Sequence, residues 1–141
     1  MELAALKIKK FQEGQRRRYD QAHMIWLILI GHASYKKGKT MSYGDLAERL
    51  GYSRQAGRTL GGALGLVSLY CIKNNLPPLS AIVVDATTGY PAWGGLFRKG
   101  FTLEEEQKNI WDTDWYVFKA PSTGLFKKAN QLFDWDDRSP I

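Results

Sequence analysis

Few residues in this chain have side chains that commonly carry out catalysis or bind metals. There is one cysteine, Cys71, and there are two histidines, His23 and His32. The histidines are too far apart for one helical turn and have no cysteine or carboxylate at ligand spacing, so structural roles are expected. Cys71 lies in an apolar run, where a thiol is usually unreactive packing. The sequence therefore predicts no metal site and no cofactor, and its single cysteine excludes an internal disulfide.

A glycine-rich helix is more informative. Residues 38–64 favour two helices joined by a tight turn, which is the form of a helix-turn-helix. Ser42 and Asp45 form a weak capping box, Gly51 is placed for the left-handed end of the first helix, and Ser53 is placed to cap the second. The second helix contains Gly57, Gly61 and Gly62. Each glycine costs up to ~1 kcal/mol relative to alanine, so we expect a close neighbour there, either DNA in a groove or a packed strand.

The charge of the chain is unevenly distributed. Residues 1–60 carry 12 Lys or Arg and 5 Asp or Glu, residues 101–141 carry 5 and 8, and the formal net charge is +6. A basic half that contains a helix-turn-helix favours a phosphate-binding face, and a lysine-rich solvated surface is the alternative. Because DNA would repel the acidic end, we expect that end on the far side of the molecule or bound to another partner.

The first 35 residues precede this motif. Residues 1–18 form a basic lead-in, as a helix or as an arm. Residues 19–35 predict a central packing helix with a thick apolar face. That face contains Met24, Ile25, Leu27 and Ile28.

The pattern after residue 64 predicts an α/β chain that is mainly α. The second helix is expected to run on, with a kink near Gly65, until residues 74–78 stop it. A buried strand is expected over residues 79–84, and a helix over residues 103–112 with Thr102 and Glu105 as its capping box. A short strand is expected over residues 115–119, and the remainder is expected to be irregular, acidic and aromatic.

The composition favours one domain that does not enter a membrane. The chain has 141 residues, of which 44% are hydrophobic, so it can bury a sizeable core. The longest apolar run, residues 24–30, is far short of the roughly 20 residues of a membrane span. No signal-peptide pattern is found at the start. A cytoplasmic location is expected, with residues 101–141 packed as an extension on the same domain.

Four segments follow one another in a recognisable order. They are GKTMSYGDLA (residues 38–47), GRTLGGAL (57–64), LSAIVV (79–84) and YPAWGGL (90–96). They resemble the G-x-x-x-S-Y-x-x-L-A, A-R-A-V-G-G-A-M and P-C-H-R-V-[VI] segments and the G-G-L loop of one family. That family comprises the C-terminal domain of O6-alkylguanine-DNA alkyltransferases and the non-catalytic alkyltransferase-like proteins. The resemblance covers residues 19–96, with a long connection over residues 65–78, and implies a winged-helix-like domain with a short β element over residues 19–100.

The resemblance also implies roles for individual residues. In that family the second helix lies in the minor groove, an arginine replaces a flipped nucleotide, and the tyrosine of the S-Y pair presses on that nucleotide's phosphate. Here these residues are Arg58 and Tyr43. The implied DNA-binding set is Lys39, Tyr43, Ser53, Arg54, Gly57, Arg58, Thr59, Gly61 and Gly62, and the implied base pocket is Ser80, Tyr90 and Trp93. Alternatively, Arg58 pairs with an acidic neighbour, Tyr43 packs in the core, and the loop aromatics are hydrophobic cover.

The chain departs from the family where the alkyl acceptor stands. The accepting cysteine is replaced by Ser80, and Ala81 and Ile82 replace the following His-Arg pair, which the alkyltransferase-like relatives generally keep. A serine without a base cannot replace an activated thiolate, and Cys71 is nine residues too early. Alkyl transfer is therefore not expected, and an enzyme with Ser80 as nucleophile is the least favoured interpretation.

The expected function is non-enzymatic binding of double-stranded DNA through the minor groove, in DNA repair or in sensing a flipped or modified base. The alternative is a protein-interaction module, such as a phage or mobile-element protein that binds a host factor through its acidic C-terminal segment. Joint exposure of Trp111, Trp115 and Trp135 would favour that alternative. An exposed Arg58 would favour DNA, whereas a buried ion pair would favour simple packing.

Overall fold

Five α-helices and two short strands form most of the part of the chain that the structure describes. The computed structural model describes residues 8–91 and 98–132, with side chains described from residue 17 to residue 131. The elements in chain order are α1 (Ile8–Tyr35), β1 (Met41–Ser42), α2 (Tyr43–Arg49), a first 3₁₀ segment (Arg54–Thr59), α3 (Gly61–Lys73), a second 3₁₀ segment (Leu79–Ile82), β2 (Val83–Val84), α4 (Leu103–Asp112), a third 3₁₀ segment (Trp115–Val117) and α5 (Thr123–Leu132). The chain is thus mainly helical with a small parallel β element, and the predicted α/β, mainly α class is confirmed.

Helix α1 is one continuous helix from Ile8 to Tyr35. The predicted change from lead-in to helix at residue 19 is therefore not a structural boundary. The predicted apolar face is also partly wrong, since Met24 and Leu27 are half-exposed. Residues 24–30 are apolar at every position, so the pattern there does not fix the rotation of the helix. The buried residues described in this helix are Tyr19, Ala22, Ile25, Trp26, Leu29, Ile30 and Ala33.

Helix α3 is the most deeply buried helix among the described residues. Nine of its 13 residues are buried, and they occur on all of its sides because α1 and α5 both pack against it. The helix runs without interruption past Gly65. It ends at Lys73, before Asn74 to Pro78, as predicted.

The two strands are parallel, and Met41 pairs with Val83 while Ser42 pairs with Val84. The predicted strand over residues 79–84 is wrong for its first four residues, which form the second 3₁₀ segment. The two prolines before it favour a turn, and the Ala81 amide donates to the Pro78 carbonyl at 3.0 Å. Because the strands are parallel, the residues that follow them, Tyr43 and Asp85, leave the same edge.

Two α-helices occur in residues 101–132, the part of the C-terminal segment that the structure describes. The capping box of α4 is confirmed, since the Glu105 amide donates to Thr102 at 3.1 Å and the Thr102 amide donates to Glu105 at 2.8 Å. The predicted strand at residues 115–119 is instead the third 3₁₀ segment. Its Trp115 is drawn into the core, where its indole donates to the Ile110 carbonyl at 2.9 Å. Helix α5 was expected to be irregular, and that expectation is wrong.

The segment after residue 100 shares its core with the earlier helices. Ile110, Trp115 and Phe126 belong to the same buried cluster as Trp26 of α1. The Trp26 ring lies 5.7 Å from the rings of both Tyr70 and Trp115 in edge-to-face contacts. In the described part of the chain, no helix combines the length and apolarity that crossing a membrane requires.

Candidate nucleic-acid interface

The parallel strand pair positions the candidate site. Ser42 ends β1, and its hydroxyl accepts the Asp45 amide at 3.1 Å, so the predicted N-cap of α2 is confirmed. Asp85 follows β2, and its carboxylate accepts the amides of Thr87 at 2.7 Å and Thr88 at 3.2 Å. These caps fix the chain direction after each strand. The start of α2 and the loop after β2 therefore face each other.

The turn between α2 and the first 3₁₀ segment brings the glycines into place. Gly51 has a φ of 90° and ends α2 in the left-handed conformation, as predicted. Ser53 does not cap a helix with its side chain, and residues 54–59 are 3₁₀ rather than α-helical. The predicted second helix is therefore split, and its α-helical part begins at Gly61.

Gly57 is required by packing inside the protein. It is buried, and a Cβ atom at this position would lie 2.8 Å from the carbonyl carbon and oxygen of Tyr43. The close neighbour expected from the sequence is thus the start of α2. Packing inside the protein therefore accounts for this glycine without a contact to DNA.

A groove of about 310 Å³ lies between α2, the first 3₁₀ segment and the loop after β2. Its lining residues are Ser42, Tyr43, Gly44, Arg54, Gln55, Gly57, Arg58, Gly61, Asp85, Ala86 and Thr87. The structure thus brings together five predicted residues, namely Tyr43, Arg54, Gly57, Arg58 and Gly61. We call this cavity, with all of its lining residues, the groove.

Four predicted residues are exposed or lie near the surface but do not line the groove. They are Lys39, Ser53, Thr59 and Gly62. The Thr59 hydroxyl donates to the Ala56 carbonyl at 2.7 Å. A Cβ atom on Gly62 would lie 2.8 Å from Nε of Arg18, so the Arg18 side chain lies over the start of α3. That start has no side-chain cap.

The two arginines of the groove differ in their partners. Arg54 donates to Asp45 at 2.6 Å and to Glu48 at 2.9 Å, and its hydrogen bond holds the pKa of Asp45 below the usual value. Arg58 is exposed and makes no ion pair with any residue that the structure describes. The two carboxylates more than offset the single positive charge of Arg54. Arg58 is therefore the arginine of the groove whose charge remains available to a ligand.

The predicted base pocket is not assembled at the groove. Ser80 is buried in the second 3₁₀ segment, where its hydroxyl shares a short hydrogen bond with that of Ser68 in α3, and it does not line the groove. Tyr90 is exposed and lies at the far end of the loop, where its carbonyl accepts the Asp85 amide at 2.8 Å. Trp93 lies outside the described residues. Ser80 therefore lies inside the protein and not at the groove, and it belongs to a 3₁₀ turn where the sequence predicts a strand.

The histidines and the cysteine are engaged elsewhere. Nδ1 of His23 lies 2.9 Å from the Pro121 carbonyl, and Nε2 of His32 lies 2.6 Å from the Lys39 carbonyl. Burial raises the pKa of the Cys71 thiol to about 12, which keeps it protonated and unreactive. Within residues 17–91 and 98–131, no three His, Cys, Asp or Glu side chains come together as a metal site would require.

Sequence reasoning missed one wall of the groove, which consists of Asp85, Ala86 and Thr87. The available signal was the position of Asp85 directly after a buried β-branched run, since parallel strands deliver the residues that follow them to one edge. No protein-family model, curated protein or solved structure matches the chain. Its function therefore has to be inferred from the residues of the groove and their surroundings.

Proposed function

We propose that this chain binds double-stranded DNA without catalysing a reaction, and that Arg58 enters the duplex from the minor groove. The observation that carries this proposal is the state of Arg58, which is exposed and lacks an ion-pair partner among the described residues. Arg58 lines the groove together with the small residues Gly57 and Gly61. An exposed arginine without an ion-pair partner fits insertion into the minor groove.

The surface that would contact DNA is small. Helix α3 is buried along most of its length, and of its first two residues Gly61 lines the groove while the Arg18 side chain lies over Gly62. The first 3₁₀ segment supplies Arg58, and the start of α2 supplies Tyr43 for a phosphate contact. DNA would therefore meet the end of α3 and the segment before it, rather than the side of a recognition helix. We include in the proposal a winged-helix-like or alkyltransferase-like fold whose recognition helix is replaced by the first 3₁₀ segment and the start of α3.

The affinity would come mainly from cations outside the groove. Two arginines, Arg54 and Arg58, stand against three carboxylates at and beside the groove, so the groove carries no net positive charge. The carboxylates are those of Asp45, Glu48 and Asp85. The turn before β1 carries exposed lysines, and α1 carries exposed Arg17. These lysines are Lys36, Lys37 and Lys39. Contacts of such groups with phosphates release counterions, so the affinity should fall steeply as salt rises.

The groove also suits the recognition of an altered base. Its volume of about 310 Å³ is at the small end of ligand pockets. That size supports a role in sensing a flipped or modified base in DNA repair. We propose sensing rather than alkyl transfer, because Ser80 is buried against Ser68 and no activating base is described beside it.

The test is fluorescence anisotropy with a labelled duplex at two salt concentrations. Wild type is expected to bind with a strong salt dependence, and Arg58→Ala is expected to lose at least ~1 kcal/mol, about fivefold in Kd. Lys73→Ala is the matched control, since it removes one exposed positive charge from the other end of α3, about 20 Å away. Tyr43→Ala should weaken binding to every duplex sequence alike.

Two outcomes would contradict the proposal. Wild type that shows no duplex binding at low salt would make the basic surface an ordinary solvated one. An equal loss in Arg58→Ala and Lys73→Ala would mean that only total charge matters. The protein-interaction alternative rests on jointly exposed tryptophans, but Trp115 is fully buried and Trp135 lies outside the described residues.

A further inference from the structure

A second surface carries exposed aromatic rings that the groove does not use. Tyr35, the last residue of α1, is 79% exposed, and Tyr116 in the third 3₁₀ segment is 56% exposed. Their ring centroids are 6.2 Å apart at an interplanar angle of 53°. Val117 and Phe118 are also exposed beside them in the chain. We call Tyr35, Tyr116 and Phe118 the aromatic platform.

The charge around the aromatic platform is mainly positive. Lys36 and Lys37 follow Tyr35 directly, and Lys119 follows Phe118. All three lysines are exposed and make no ion pair with the residues that the structure describes. The nearest acidic group in sequence is Asp114, whose carboxylate is turned back to accept the Tyr116 amide at 3.3 Å. Exposed rings beside uncompensated cations are the combination that single-stranded nucleic acids bind, through base stacking and phosphate contacts.

The aromatic platform is connected to the groove by one short turn. Residues 36–40 lead from Tyr35 into β1, whose last residue, Ser42, lines the groove. The Lys39 carbonyl lies 2.6 Å from Nε2 of His32, so this turn is tied back to α1. Seven residues span at most about 25 Å. A strand that leaves the groove can therefore reach the platform within several nucleotides, across the lysines of the turn.

We infer that the aromatic platform binds an unpaired DNA strand that continues from a duplex held at the groove. This inference rests on the proposed function for the duplex contact, and it adds a substrate class, namely DNA with a single-stranded extension. The bases would stack on Tyr35 and Tyr116, while Lys36, Lys37 and Lys119 would contact phosphates. A partner protein or a second copy of the chain would need an acidic, apolar surface to cover the same residues.

The test compares three DNA probes by fluorescence anisotropy: a blunt duplex, the same duplex with a single-stranded extension of about ten nucleotides, and that single strand alone. For wild type, the extension should strengthen binding at least about fivefold, because base stacking on an aromatic ring is sequence-tolerant and strong. The double variant Tyr35→Ser/Tyr116→Ser should lose this gain and keep the affinity of wild type for the blunt duplex.

The matched control keeps both rings and removes only their hydroxyls. Tyr35→Phe/Tyr116→Phe should retain the gain from the extension, because stacking requires the ring. Both tyrosines are largely exposed, so unchanged thermal unfolding of both double variants is expected and shows that the fold is intact. A loss of the gain in the Phe variant would overturn the stacking inference.

The outcomes separate this inference from the proposed function. If wild type binds the blunt duplex and the extension adds nothing, the inference fails and the proposed function stands. If wild type binds the single strand but not the duplex, and the Ser variant loses that binding, the platform stands and the duplex contact fails. If sedimentation velocity shows a wild-type dimer that the Ser variant dissociates, a second copy covers the platform and the inference fails.

Discussion

At the scale of single residues, two glycines that look equivalent in the sequence have different structural roles. Gly57 is pressed against the backbone of Tyr43, and a Cβ there would lie 2.8 Å from its carbonyl atoms. Gly65 lies in the middle of α3, where a Cβ would meet no atom within 4 Å. The first glycine joins the 3₁₀ segment to α2 and so shapes the groove, whereas the second is a cost that the helix tolerates.

Alanine at these two positions should therefore have opposite effects on stability. Gly57→Ala is expected to lower the free energy of unfolding by about 1–3 kcal/mol, because backbone atoms must move to admit the methyl group. Gly65→Ala is expected to raise it by up to about 1 kcal/mol, because alanine is the better helix former. Urea unfolding of both variants measures the difference, and equal effects would show that the contact with Tyr43 is not rigid.

Site residues whose conformation depends on their neighbours in sequence could be predicted, whereas those that depend on contacts between elements could not. The N-cap at Ser42 and the left-handed Gly51 depend on nearest neighbours, and both are confirmed. Arg54 was grouped with Arg58, although carboxylates of α2 compensate its charge. Nothing in the spacing shows which arginine is paired, because the choice depends on how the 3₁₀ segment folds back on α2. Ser80 was misplaced for a similar reason, since its partner Ser68 is in another element.

At the scale of elements, α4 carries two ion pairs that should contribute differently to stability, because one is buried and the other is exposed. Glu106 is fully buried and accepts from Arg98 through both carboxylate oxygens, at 2.7 and 3.0 Å. The Arg98 guanidinium also lies 4.3 Å from the Phe101 ring centroid. Lys108 and Asp112 on the same helix are 2.8 Å apart in solvent. The buried pair fixes the chain just before α4, where Arg98 and Phe101 precede the capping box.

Removing one carboxylate charge from each pair should separate their contributions. Glu106→Gln is expected to cost about 3 kcal/mol of stability, because it leaves the largely buried Arg98 without a counter-charge. Asp112→Asn, the matched change on the exposed side of α4, should cost at most about 0.5 kcal/mol. Thermal or urea unfolding measures both. Equal small losses would show that solvent reaches Arg98 freely.

The elements themselves were predictable where caps and periodicity agreed, as for α2 and α4. The sequence favoured one recognition helix from Ser53 onward, but the structure has a 3₁₀ segment and then the buried helix α3. Packing decides this, because α1 and α5 cover α3 from both sides. Helix α5 does have apolar residues at helical spacing, at positions 125, 126, 129 and 132, but only the contact with α3 shows why Phe126 is buried. Short apolar runs at residues 79–84 and 115–119 both predict strands, but residues 79–82 and 115–117 form 3₁₀ segments, and of the two runs only residues 83–84 contribute a strand.

At the scale of the whole molecule, the acidic C-terminal segment is joined to the basic half by a common core. Phe126 of α5 contacts Tyr70 of α3 with ring centroids 5.5 Å apart, and Asn130 donates to the Tyr19 hydroxyl of α1 at 3.1 Å. Trp115 packs on Trp26 in the same cluster. These contacts cross from one end of the chain to the other. The described helices should therefore unfold together rather than as a core and a separate extension.

Neighbouring residues on α5 provide the test of this cooperativity. Phe126 is 0% exposed and Leu125 is 44% exposed. Phe126→Ala is expected to lower the free energy of unfolding of the whole chain by about 3–5 kcal/mol, because it opens a cavity against α3. Leu125→Ala should cost less than about 1 kcal/mol. Tryptophan fluorescence and far-UV circular dichroism should report one coincident transition in every variant. If Phe126→Ala instead produced an early transition, with the remaining helices unfolding later at the wild-type midpoint, α5 would be a separately folding extension, and DNA binding by the basic half would survive its loss.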